Sequence, residues 1–183
     1  AEGYKHTGYF NREYIARKGD LNSPDQNLTN PNNYRAIRYA DVLLMAAEAL
    51  NRGNISDERA RDYLNQVRKR VNLANVTATG KQLRDAIRKE RRLELAFENN
   101  RLYDLRRWKD DNGKAAICNV MGPNGSWVIY NTKTSTDQYE KSNQNESSSE
   151  GSAFTEGRDE LFPIPNSEII LSGGSIKQNP GYN

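Results

Sequence analysis

The sequence predicts a mainly α-helical chain of antiparallel helix pairs, with long irregular loops and one short β-hairpin, on three observations. Between residues 34 and 108, apolar residues recur at helical spacing. Capping residues and glycines divide that stretch into helices joined by short turns, which forces neighbours to fold back on one another. Beyond Asp111-Asn112-Gly113 the period fades, and Ser, Thr, Asn and Gln take over.

Residues 1 to 33 are rich in Gly, Pro and Asn and read as connection, with one aromatic stretch, Tyr9 to Ile15, that fits a strand. From Tyr34 to Arg52 the set Ile37, Ala40, Leu43, Leu44, Ala47 and Leu50 predicts a helix stopped by Gly53. A second helix starts at the cap Ser56, carries Asp57 and Glu58 in its first turn and presents Ala60, Tyr63, Leu64, Val67 and Val71. Thr79 and Gln82 fit a capping box that opens a third helix, running to about Asn99. A further turn or two passes through Tyr103, Leu105 and Trp108, and Lys114 to Met121 fits one more short helix. Gly122-Pro123-Asn124-Gly125 signals a turn, Trp127 to Tyr130 a strand, and Thr132 to Arg158 a long mobile surface loop. Leu161-Phe162-Pro163-Ile164-Pro165 reads as an extended strap whose apolar residues pack back on the helices, followed by a capped helical turn at Asn166 to Ile169.

The third helix carries charge on the face that should be buried. An apolar stripe from Leu83 through Ala86, Ile87 and Leu93 to Phe97 places Glu90, Glu94 and Arg101 on or beside it. Glu94 and Glu98 stand at i,i+4, with Arg91, Arg101 and Arg107 on the same or the next turns. A structural ion-pair network of Glu90, Arg91, Glu94, Glu98 and Arg101 is the expectation. Catalysis and metal binding fit the row less well. A di-metal bundle also needs a Glu-x-x-His pair, and the single histidine is His6; a glycosidase needs two carboxylates facing across a cleft, and acids beside arginines make poor general acids.

The 183 residues suffice for one domain, and 28% charged residues with a mean hydropathy of -0.97 mark a polar chain with no apolar run long enough to span a bilayer. Net charge is +3 with bases and acids interleaved, so no basic stripe for nucleic acid forms. The lone cysteine, Cys118, excludes an internal disulfide and a cysteine-built zinc site, and beside Ile117 and Val120 it reads as a buried small hydrophobe. No cofactor or metal is expected. The opening residues lack a secretory signal, which fits a mature or excised chain.

The ordered set Ile37 to Ala49, Tyr63 to Arg70, Glu90 to Trp108, Leu161 to Pro165 and Gln178-Asn179-Pro180-Gly181-Tyr182 resembles the C-terminal part of the SusD/RagB family of Bacteroidetes outer-membrane glycan-binding lipoproteins. That resemblance implies a helical scaffold of TPR-like pairs, loops that carry a sugar site, a SusC-like TonB-dependent transporter as partner, and no catalysis. Family members are longer and carry a signal peptide and a lipidated cysteine, so the expectation is a C-terminal fragment whose lipid anchor belongs to an upstream part. Within it, 34–109 is the helical scaffold, 110–160 a variable loop region and 161–183 a C-terminal strap of one domain.

Sugar sites combine exposed aromatic platforms with amide and carboxylate partners. The carbohydrate-binding candidates are Trp127, Tyr130 and Tyr139, flanked by Asn124, Asn131 and Gln138. Beside Val128 and Ile129, Trp127 also fits a core anchor. The function expected is non-catalytic glycan binding at the outer cell surface, delivering glycan to the transporter; the alternative is a TPR-like protein-interaction scaffold without a sugar site of its own.

Overall fold

Arg38 holds an extended backbone, φ −116° and ψ 153°, and the first helix opens behind it as α1, Tyr39–Arg52. The computed structural model describes residue 19, residues 32–121 and 154–182, and the backbone of 127–130 and 139–142. The strand expected at Tyr9 to Ile15 lies outside the described residues. The expected start at Tyr34 moves to Tyr39, because residues 34 to 38 make no helix and Tyr34 and Ile37 stay exposed.

The next helix, α2 (Asp57–Arg70), begins as expected: the Ser56 hydroxyl accepts the Arg59 N–H at 3.2 Å, and Asp57 and Glu58 sit in the positive first turn. A third, α3 (Gly80–Glu94), completes the group. Leu43, Leu44 and Ala47 of α1 interlock with Ala60, Leu64 and Val67 of α2 and Leu83 and Ile87 of α3 in one core. The mainly helical expectation holds, in the antiparallel arrangement the short turns require.

Three local expectations change. Thr79 takes the N-cap position of α3 but its side chain caps nothing; the Gly80 N–H instead donates to Asp57 Oδ2 at 2.6 Å. The capping box is replaced by an acid from the neighbouring helix. The connection between α2 and α3 is likewise pinned from α2, since Asn65 donates to Val76 O at 3.1 Å and accepts from Val76 N at 2.8 Å. Finally, α3 stops at Glu94 rather than near Asn99, because Phe97 (φ 65°) and Asn99 (φ 64°) adopt left-handed backbone that no α-helix continues.

The buried stripe of α3 also differs from the one expected. Leu83, Ile87, Glu90 and Arg91 are buried, at i, i+4, i+7 and i+8, while Leu93 and Phe97 are exposed. Charged groups occupy the places where the apolar stripe would continue.

The described residues fall into two compact units, divided after Arg101. In the second, α4 (Asn100–Arg107) leads into Trp108, whose indole is buried. A bridge between Lys109 and Ala115 closes the loop before α5 (Ala116–Met121). Leu105, Ala115, Ile117, Cys118 and Phe154 form the core of this unit. Strand β1 (Trp127–Tyr130) pairs antiparallel with β2 (Tyr139–Ser142). This second strand interrupts the stretch expected to be one long loop; Tyr-Glu-Lys-Ser has no apolar alternation to reveal it, and its pairing comes from β1. The last helix is α6 (Asn166–Leu171), which starts behind Pro165 without a side-chain cap.

The strap departs from expectation too. Leu161 and Phe162 remain exposed, and Phe162 lies under the Arg106 guanidinium at 3.8 Å. Polar bonds hold the strap: Gln178 donates to Ile164 O at 2.9 Å and accepts from Ile164 N at 2.8 Å, Asn179 donates to Phe162 O at 2.7 Å, and the Tyr182 hydroxyl donates to Leu161 O at 3.0 Å.

Candidate functional site

The charged row is assembled across helices. Arg38, just before α1, donates through Nε and Nη2 to the two oxygens of Glu98 at 2.8 and 2.6 Å. Its Nη1 reaches Glu94 Oε1 at 3.0 Å and its Nη2 also reaches the Glu94 carbonyl at 2.9 Å. Arg70 of α2 grips the other side of Glu94 at 2.7 and 2.9 Å. Glu90 takes Arg68 at 2.5 Å, and Arg91 donates to Asp41 of α1 at 2.8 Å in a buried pair. The bonds to Glu98, against the opposing effect of burial and with help from Glu94, raise the Arg38 pKa further above its already high value.

The helical spacing points to Arg91, Arg101 and Arg107, on the same or the next turns, as partners of these acids. The cations that close on Glu90, Glu94 and Glu98 come instead from residues 38, 68 and 70, a pairing that helical spacing within one segment does not reveal. Arg101, in the first turn of α4, is half-buried. Chemically the row is a set of carboxylates gripped by guanidinium groups from other segments, an arrangement that holds helices together.

The aromatic candidates share the hairpin. Tyr130 and Tyr139 are register partners next to the connection, and Trp127 pairs with Ser142 at the other end.

A cleft of about 500 Å³ lies within the second unit, between the turn at residues 109–115 and the turn at residues 156–161, with Cys118 and Pro180 also on its wall. Both turns are internally fixed. Asp110 Oδ1 accepts from the N–H groups of Asn112 and Lys114 at 2.9 Å each, and its Oδ2 accepts from Asn119 at 3.0 Å. These bonds, the one from Asn119 foremost, lower the Asp110 pKa. Asp159 Oδ2 accepts the Thr155 N–H at 2.6 Å, and Arg158 beside Asp159 draws its pKa down to about 2. Lys114 and Glu156 join the two turns at 2.7 Å. Glu160 Oε1 accepts both the Cys118 thiol at 3.0 Å and the Gly157 N–H at 2.9 Å. Burial pushes the Glu160 pKa up, but those bonds outweigh it and the net shift is downward. Burial, then the bond to Glu160, pushes the Cys118 thiol up to about 12. No sequence motif announced this cleft, because its walls come from two loops some 40 residues apart, Lys114 and Glu156 being separated by 42 positions.

Among the described residues no group of three His, Cys, Asp or Glu side chains is placed to hold a metal, and no helix is long and apolar enough to cross a membrane.

Relatives share both the sequence and the helical frame. SusD-like protein P2 of Formosa agariphila is 34% identical over 159 residues, 82% of this chain and 26% of that protein. A SusD-like protein of Bacteroides ovatus is 33% identical over 101 residues, 50% of this chain and 18% of that protein. A crystal structure of a SusD-like protein from Bacteroides fragilis superposes with a TM-score of 0.59 at 32% identity, over 82% of this chain and 26% of the other. A SusD superfamily protein from Parabacteroides distasonis gives 0.50 at 26% identity, over 86% of this chain and 29% of the other. The chain thus spans about a quarter of the length of SusD-like protein P2 and of the Bacteroides fragilis protein. The sequence model of the SusD family matches residues 1–182, and the chain belongs to that family.

Proposed function

We propose that this chain is part of a non-catalytic glycan-binding protein at the outer cell surface, anchored by a lipid on an upstream part and delivering glycan to a SusC-like TonB-dependent transporter. The observation that carries the proposal is the family match across residues 1–182. The charged row adds support: its acids are paired with arginines from other segments rather than facing one another across a cleft, the arrangement hydrolysis would need. The hairpin contributes Trp127, Tyr130 and Tyr139 as the aromatic platform, with Tyr130 directly across from Tyr139. Titrating a soluble glycan against tryptophan fluorescence tests this. Quenching in the wild type that disappears in Trp127→Phe supports the platform, whereas quenching that survives in Trp127→Phe places the sugar elsewhere.

A TPR-like protein-interaction scaffold is the second reading, and one observation favours it. Tyr39, Val42 and Met45 of α1 are exposed apolar side chains at helical spacing, the pattern of a helix face that receives a partner. Chemical cross-linking to the transporter with no glycan retained would favour it over the first.

A further inference from the structure

We infer that the cleft between the 109–115 and 156–161 turns is a second sugar subsite, which takes a neutral, hydroxyl-rich ring. The inference rests on the glycan-binding reading and extends it to residues outside the hairpin. Its volume, about 500 Å³, is in the range of small-molecule pockets and exceeds what one hexose ring needs. The walls are set before any ligand arrives, because Asp110 and Asp159 each close their own turn with bonds to backbone N–H groups and Lys114 ties one turn to Glu156 of the other.

The polar groups left over decide the ligand class. Glu160 spends Oε1 on the thiol and on Gly157 and its carboxylate also takes its own backbone N–H, while Oε2 takes no hydrogen bond from another described residue. The Asn112 carboxamide, exposed on the opposite turn, likewise makes no side-chain bond to a described residue. A carboxylate acceptor and an amide that both donates and accepts, on the two turns that line one cleft, suit a pair of hydroxyls. Leu161 and Pro180 supply apolar surface for the face of a ring. An anionic ligand fits less well: Lys114 is engaged with Glu156 and Arg158 with Asp159, so a carboxylate or sulfate would have to break an existing pair. Hydrolysis is not part of the role, since Glu160 is held ionised and cannot act as the acid.

Isothermal calorimetry of the full chain against maltohexaose, cellohexaose, xylohexaose, laminarihexaose and oligogalacturonate tests the inference, with far-UV circular dichroism to confirm folding. Glu160→Gln keeps an oxygen for the thiol and Gly157 while turning the other acceptor into a donor; Asn112→Ala removes an exposed amide and leaves its turn intact. If a neutral oligosaccharide binds the wild type and each variant weakens it about tenfold, the subsite stands. If that oligosaccharide binds wild type and both variants equally, the subsite is overturned while the glycan-binding reading survives. If only oligogalacturonate binds, the neutral class is wrong, and if none of the panel binds the wild type, both readings fail.

Discussion

Arg38 and Glu98 stand 60 residues apart and meet in a two-pronged bond, 2.8 and 2.6 Å, that joins the start of α1 to the turn after α3. The Glu98 side chain is 7% exposed and that of Arg38 23%, so removing either partner strands a charge in a poorly hydrated place. Phe97 and Asn99 flank Glu98 in left-handed backbone, and the Arg38 fork offsets the cost of that conformation.

Arg38→Ala is therefore expected to lower the unfolding free energy by about 3–5 kcal/mol, and Arg38→Lys to recover only part, because an ammonium cannot make the fork. Urea unfolding of both variants, with Glu98→Ala and the double variant, gives the coupling energy. A value of about 1–3 kcal/mol is expected, and additive losses would show that the two side chains act independently.

Glu94 sits between Arg38 and Arg70, and Glu94→Gln keeps one acceptor while removing the charge both cations face. A loss of about 1.5–3 kcal/mol in stability is expected with glycan affinity unchanged. Folded, fully stable protein that no longer binds glycan would move Glu94 from the scaffold into a binding site.

Gly181 has φ +82°, and a Cβ there would stand 2.6 Å from Arg158 Cγ. Gly181→Ala must strain the backbone and displace Arg158, so a loss of about 1–3 kcal/mol and loosening of the strap are expected. Hydrogen exchange at the Ile164 amide, bonded to Gln178, reports it; unchanged protection would contradict the close approach.

The pH dependence follows from two carboxylates. Arg158 lowers the Asp159 pKa from 3.8 to about 2, and the Gly80 N–H, then Asn51, lower that of Asp57. A depressed folded pKa contributes stability that is complete above the unfolded value and is lost as pH falls through the folded one. Thermal midpoints should fall between about pH 4 and pH 2, and Asp159→Asn should flatten part of that fall. An unaltered profile in this variant would remove Asp159 from the account.

Cys118 makes the opposite prediction at high pH. With its thiol pushed up to about 12, alkylation by iodoacetamide at about pH 8 should run at least about a hundredfold slower than for an exposed cysteine, followed by mass spectrometry. Rapid modification would mean that the thiol is not held as a donor to Glu160.

What the sequence made legible and what it hid divide along a physical line. Ser56 as a cap, Leu64 and Ile87 in the core, buried Trp108 and buried Cys118 follow from period and capping, which are local. Asp57 reaching Gly80, Arg38 reaching Glu98 and Glu160 meeting Cys118 are long-range, and spacing along one helix carries no trace of them. The stripe through Leu93 and Phe97 is exposed because the buried side of α3 is completed by the paired Glu90 and Arg91, which apolar spacing does not mark. The β2 strand stayed hidden because its four residues have no alternation of their own.

Affinity electrophoresis of this chain in gels containing soluble polysaccharides tests glycan binding most directly. Retardation by at least one neutral polysaccharide is expected, reduced when Trp127 is changed to alanine; migration unchanged in every gel would contradict glycan binding and leave the helices as a scaffold for protein partners.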